Sequence, residues 1–294
     1  MFYRRKIILA ILQIFGGRLE KINLYKLLLI LTKRQEKPEY DFIPYKFGCY
    51  SFSLHADLVT MYKKELLFDE DIAVQKLDNK NYLSIVNDTD KKLIVALHEE
   101  FINSTVDELM YYTYTKYPYT AINSLKAKSL LSHIEFARVK NCISATDKII
   151  LFTIGYEGIS LEEYLNRLIK NDVKVLVDVR NNPLSQKYGF SKNQLQGFCK
   201  SLNIEYLHFG EVGIESKHRQ VLNNQNDYNT LFNSYKKETI PNTLTTQKKI
   251  LNLLIEKQRI ALTCFEANIC QCHRKHLADA ITNLPGWAFE LKHI

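Results

Sequence analysis

The stretch from Lys148 to Arg180 constrains the fold of this chain more than any other. Lys148-Ile149-Ile150-Leu151-Phe152-Thr153-Ile154 is a continuous apolar run of strand length. Gly155-Tyr156-Glu157-Gly158 is a tight turn. Ser160 opens a helix, LEEYLNRLIKN, and Glu163 three residues on makes a capping box. Val173 to Arg180 is a second apolar strand. Strand, helix and strand within about 30 residues form a βαβ unit, so the sheet is at least partly parallel. A helix from Ser191, a strand over Ile204–Phe209, a helix over 243–258, a strand over Ile260–Phe265 and a helix from about His273 to Ile281 continue the pattern. The fold class is therefore α/β, a partly parallel sheet flanked by helices.

In open α/β sheets, ligands bind beyond the carboxyl ends of the strands. Glu157 follows the first strand, Asp178 and Arg180 end the second, Gly210 and Glu211 follow the third, and Glu266 with Cys272-His273-Arg274 follows the last. Charges gathered at one edge are either paired or used. Asp178 and Glu157, with Glu266, can divide into a general acid and a general base. Asp178 can instead be bridged to Arg180 or Arg274 and only shape the loop. Arg180 and Arg274 can grip a phosphate, with His273 at a helix N-terminus and Tyr156 and Ser185 beside them. Arg274 can equally pair with Glu266.

Cys272 is a candidate nucleophile, because a helix start with His273 and Arg274 lowers a thiol pKa. The strand and the cysteine loop resemble rhodanese-type sulfur transfer, but CHRKHL runs straight into a helix instead of curling around its cysteine. Cys270, Cys272, His273 and His276, with Cys264 as a further ligand, suggest zinc. Adjacent Cys272 and His273 argue against it, since neighbours do not easily point at one ion. No metal is expected. His208, alternating with Tyr206, reads as a core-edge histidine, and Lys217-His218-Arg219 as a solvated or lid-like segment. Trp287, after Pro285-Gly286, reads as a C-terminal packing latch.

The N-terminal part has another character. Residues 4–15 put Ile7, Ile8, Ile11, Leu12 and Phe15 on one helical face, Gly16-Gly17 stops that helix, and residues 21–34 form a second. A loop or short extended piece around Pro44 and Gly48 follows, then a helix over 51–65 capped by Ser51 or Ser53. IAVQKL and YLSIVN, flanking Asp78-Asn79-Lys80-Asn81, are expected to pair as a hairpin. Helices over 90–102 and 105–116 follow, the second ended by Pro118. This order predicts a winged-helix-like domain over residues 1–145 and an α/β domain over 146–294, with the boundary near Ala145. The third helix shows His55, Lys63 and Lys64 on its polar side, the candidate contacts to DNA.

Motifs in both parts resemble known families. Thr153-Ile154-Gly155-Tyr156-Glu157-Gly158, Leu176-Val177-Asp178-Val179-Arg180-Asn181-Asn182-Pro183-Leu184-Ser185, Phe190-Ser191-Lys192, Ile204-Glu205-Tyr206-Leu207-His208, and Cys264-Phe265-Glu266 with Cys272-His273-Arg274 resemble domain-of-unknown-function family 488 over about 148–284. Glu211-Val212-Gly213 departs from that pattern, where a Leu-Gly pair is usual. Lys26-Leu27-Leu28, Pro44 to Ser51, and Asp57-Leu58 resemble SocA or Panacea-type antitoxin modules over roughly the first 85 residues.

Charge and cysteine usage bound the function. The 294 residues carry a net charge of +8 with scattered lysines and arginines, compatible with a polyanion partner. The six cysteines form no secreted disulfide framework. Gln13 and the Gly16-Gly17-Arg18 stretch fit no signal peptide, and no run is long enough to span a membrane, so the protein is read as cytoplasmic. No Walker or dinucleotide glycine motif is present, and no cofactor is expected. The leading expectation is a DNA- or nucleic-acid-associated hydrolase acting on a phosphate-containing substrate. The alternatives are a non-catalytic nucleotide- or anion-sensing regulator, a toxin–antitoxin or phage-defence adaptor with a protein partner or a second copy of itself, and cysteine-dependent transfer.

Overall fold

The computed structural model describes residues 1–143, 147–215 and 225–294. The chain divides into two units, Met1–Ile143 and Ser144–Ile294. Both Ala145 and the Lys217-His218-Arg219 segment lie outside the described residues.

Two helices fill the core of the first unit. In α1 (Tyr3–Ile14) every residue from Ile7 to Leu12 is buried, and in α2 (Lys21–Arg34) every residue from Leu24 to Thr32. Their contact surface is thus wider than the single apolar face expected for α1. Buried Lys26 is held by the Phe47 carbonyl and by the Cys49 sulfur, 3.6 Å away. Between the two helices runs β1 (Arg18–Glu20). The Pro44–Gly48 region is a small hairpin of β2 (Ile43–Tyr45) and β3 (Gly48–Tyr50). Ser51 then caps α3 (Phe52–Lys63) by accepting from the Leu54 amide.

The next hairpin is not the one expected. β5 (Ala73–Lys76) pairs antiparallel with β4 (Leu67–Asp69) before it and with β1, in the order β1-β5-β4. The turn lies at Glu70-Asp71, with Asp71 at positive φ. Tyr82–Ser84, expected as the partner strand, is a 3-10 turn. The Asn81 side chain accepts from the Ser84 amide and Gln13 accepts from the Tyr82 amide, so local side chains take the donors a ladder would need. The unit is completed by α4 (Asp88–Phe101), α5 (Val106–Lys116), α6 (Ala127–Leu130) and α7 (His133–Lys140).

In the second unit, β6 (Ile150–Gly155), α8 (Leu161–Lys170) and β7 (Val175–Asp178) are the βαβ unit. Ser160 accepts from the Glu163 amide, but the Glu163 carboxylate accepts from Arg167 one turn on, so an ion pair draws it from the reciprocal half of the box. After α9 (Lys192–Ser201) and β8 (Glu205–His208) come α10 (Gln225–Ser234), a π-turn over Tyr235–Thr239, α11 (Ile240–Asn242) and α12 (Leu244–Lys257). Then follow β9 (Arg259–Cys264), α13 (His273–Thr282) and β10 (Glu290–His293).

The strand order among the described residues is β10-β6-β9-β7-β8, and every neighbouring pair is parallel. β6, β7 and β9 are buried along their whole length, as strands covered on both faces require. Trp287 packs, half-buried, against this core just before β10. The register sets Gly155 beside Cys264, and Asp178 beside both Thr263 and His208, so the carboxyl ends of four strands lie level. No helix among the described residues is long and apolar enough to cross a membrane.

Candidate functional site

The edge is organised around Asp178. Its side chain is fully buried, and Arg180, two residues on, is 6% exposed. Arg180 donates from its backbone amide to Oδ1 (3.1 Å) and from Nε to both carboxylate oxygens (2.9 and 3.1 Å). Nη2 and the Tyr206 hydroxyl add bonds to Oδ2, the latter at 2.6 Å. The remaining guanidinium nitrogen, Nη1, donates to the Tyr156 hydroxyl (2.7 Å) and the Phe190 carbonyl (2.9 Å). Burial alone would push the Arg180 guanidinium down, but the Asp178 carboxylate outweighs it and the pKa rises. Tyr156 stacks on Phe190 with ring centroids 4.2 Å apart. Of the two readings open for Asp178, the geometry is that of a buried, saturated ion pair.

The loop after β9 is pinned to the turn after β6. The Tyr156 and Glu157 amides donate to the Phe265 carbonyl at 3.1 and 2.9 Å, and the Ala267 amide donates to the Glu157 carboxylate at 3.0 Å. Glu157 is exposed and bonded into this loop, whereas Asp178 is sealed inside, so the two acids do not face one another across an open site. Arg274 is 2% exposed and donates to the carbonyls of Glu266 and Ala267, not to the Glu266 carboxylate. The close packing needs Gly155, since a Cβ there would sit 2.0 Å from the Glu266 carbonyl oxygen.

Beside this loop, Cys264, Cys272 and His273 are all buried, and their ligand atoms lie within 4.8 Å of one another. Burial, reinforced by the neighbouring Cys264 thiol, pushes the Cys272 thiol well above its ordinary range. The helix start that was expected to activate Cys272 is overridden by desolvation. Cys270 is exposed, and His276 instead packs at a tilt against Phe232, with centroids 4.7 Å apart.

Residues 160–281 match the family described as Domain of unknown function DUF488. This stretch of the second unit is a DUF488 domain. No curated protein and no solved structure matches the chain.

Several features of the DUF488 domain edge were not read from the sequence. Lys187 donates to the Tyr156 carbonyl at 2.7 Å, and burial lowers its pKa. Ser185 forms a turn with Ser191, whose hydroxyl donates to the Ser185 carbonyl at 2.8 Å. The His208 ring bonds the Arg180 carbonyl through Nε2 at 2.8 Å. A cavity of about 730 Å³ opens beyond β7, lined by Asn181 and by four acids, Glu211, Glu215, Asp227 and Glu238; no lysine or arginine is among its described lining residues. Only Glu211 of these acids stood out in the sequence; Glu215 follows it four residues on, and α10 and the π-turn bring Asp227 and Glu238 from more distant positions.

In the first unit, His55, Lys63 and Lys64 are all exposed on or next to α3. Packing on one side lowers the His55 pKa, and nearby Lys21 adds to this. A cavity of about 310 Å³, mostly apolar, lies next to His55 between Tyr25, Tyr45, Phe47 and Tyr50.

Proposed function

We propose that this is a nucleic-acid-associated protein whose first unit is a winged helix that contacts DNA through α3, and whose DUF488 domain takes a phosphate-containing ligand at the carboxyl edge of its sheet. The observation that carries the reading is the element order of the first unit. A strand between the first two helices joins a hairpin that follows the third, in the order β1-β5-β4. That arrangement leaves α3 with His55, Lys63 and Lys64 exposed. The hairpin tip is acidic and neutralised internally, by Lys21 with Asp69 (2.5 Å) and Arg18 with Glu70 (2.7 Å), so it offers phosphates little. The contact is consequently small and electrostatic.

In the DUF488 domain, the Asp178–Arg180 pair acts as a framework that positions its neighbours. Any hydrolytic acid–base role falls to Glu157, which is exposed, with Lys187 as the nearby cation. A regulator that binds its ligand without turnover would use the same edge.

The test is a gel shift with duplex and single-stranded DNA at two salt concentrations, wild type beside a Lys63→Ala/Lys64→Ala variant. Salt-sensitive binding that weakens in the variant supports the reading, and the salt dependence should match only about two or three neutralised phosphates. If low salt gives no binding at all, the apolar cavity beside His55 favours the second reading, a protein adaptor.

A further inference from the structure

We propose that Cys264, Cys272 and His273 of the DUF488 domain bind a zinc ion, with Glu266 closing the fourth position. The sequence argument against this, that Cys272 and His273 are adjacent, fails on the backbone. Cys272 is extended (φ −128°, ψ 135°) and His273 starts α13, so the chain bends between them and both side chains turn to the end of β9.

Four observations converge. The ligand atoms are mutually within 4.8 Å, in a site where all three residues are buried. The Cys264 sulfur lies 3.7 Å from His273 Nδ1. A tetrahedral ion bonded at about 2.3 Å to sulfur and about 2.0 Å to nitrogen holds those atoms about 3.5 Å apart, so the pair needs almost no rearrangement.

The imidazole is oriented for the task. Its Nε2 lies 3.0 Å from the Val179 carbonyl, which can only accept, so Nε2 carries the proton and Nδ1 presents its lone pair toward the sulfur. A histidine ligand is commonly fixed in this way, by a carbonyl on its far nitrogen.

Charge points the same way. The Arg274 guanidinium is 2% exposed, donates only to two backbone carbonyls, and leaves Nε without a partner. Among the described residues no carboxylate pairs with it. Two thiolates, a neutral imidazole, a carboxylate and a divalent ion carry one net negative charge, which would compensate this cation. Glu266 lies beside this set, with Oε2 3.1 Å from the Cys264 sulfur, and its carboxylate would swing in to complete the four. Thiolate and imidazole donors in a closed tetrahedral set select zinc, and such a site would fasten the 265–272 loop between β9 and α13.

The full-length reduced protein, stripped of metal, is titrated with Co²⁺ and then with Zn²⁺. The expected result is about one Co²⁺ per chain with a thiolate-to-cobalt charge-transfer band and tetrahedral d–d absorption, displaced by Zn²⁺. Zn²⁺ should also raise the thermal midpoint. Cys272→Ser and His273→Gln should lose the band, and Cys270→Ser should keep it. A folded wild-type chain that takes up neither ion overturns the proposal without reference to any variant, as does a charge-transfer band unchanged in Cys272→Ser. Oxidation of Cys264 and Cys272 to a disulfide in preference to metal uptake would overturn it too.

Discussion

Arg180 closes on the carboxylate of Asp178 from two residues along the same strand end, meeting both oxygens with Nε at 2.9 and 3.1 Å in a pocket that hides both side chains. A buried pair of this kind organises its surroundings, because breaking it leaves a charge with no solvent. Asp178→Asn should therefore cost about 3–5 kcal/mol of stability. Asp178→Asn combined with Arg180→Met should recover part of it, since no orphan charge remains. The single tryptophan, Trp287, lies in the second unit, so its fluorescence in urea follows that unit specifically. A single-variant loss below about 1 kcal/mol would show that the pair does not hold the edge together.

Gly155 tests the loop contact. An alanine Cβ would press on the Glu266 carbonyl carbon at 2.7 Å as well as on its oxygen, and both are backbone atoms that cannot rotate away. Gly155→Ala should destabilise the domain by about 1–3 kcal/mol or more and loosen the 265–272 loop, seen as faster amide exchange there. Unchanged exchange at Ala267 would refute the contact.

Thiol labelling separates buried from exposed cysteines. Cys270 is exposed, while Cys264 and Cys272 are fully enclosed. In the native chain a maleimide should modify Cys270 rapidly and Cys272 only on unfolding. Rapid native labelling of Cys272 would restore it as a candidate nucleophile.

DNA binding should depend on pH through His55. Its pKa is lowered, so at pH 7 the ring is neutral and adds nothing to phosphate attraction. As pH falls below the ordinary histidine value of about 6.5, the ring gains its proton and affinity should rise. His55→Gln should flatten that rise between pH 7 and 5.5. An equal rise in the variant would place the titrating group elsewhere.

Ser160 caps α8 through the Glu163 amide at 3.0 Å. Ser160→Ala should cost about 1 kcal/mol, measured by the Trp287 transition. A larger loss would mean that the helix depends on the serine for more than its cap.

Much of the fold was legible because its signals are local. The apolar runs of β6, β7 and β9 and the serine before α8 each name their element within a few residues. The hairpin of the first unit was misassigned for a complementary reason. Asp78-Asn79-Lys80-Asn81 has turn chemistry, but whether Tyr82 joins a ladder depends on Gln13, 69 residues away, which takes its amide proton. β10 escaped notice because Glu290-Leu291-Lys292-His293 has no strand signature of its own; it is a strand because β6 offers it a free edge.

The same division runs through the site. Sequence by itself determined that Glu157, Asp178, Arg180, Glu266, Cys272, His273 and Arg274 gather at one end of an at least partly parallel sheet, because strand ends follow from periodicity and chain direction; that β9 runs between β6 and β7, so that Glu157 and Asp178 do not follow adjacent strands, is a matter of tertiary pairing. Only the tertiary structure decided which of them meet solvent. Asp178, Arg180 and Arg274 are sealed by Tyr156, Phe190, Tyr206 and the 265–272 loop, and Cys272 and His273, at the start of α13, lie beside the Cys264 sulfur at the end of β9. Burial and partner choice are properties of residues far apart in the chain, and a desolvated charge or thiol behaves according to what surrounds it, which no stretch of neighbouring sequence can specify.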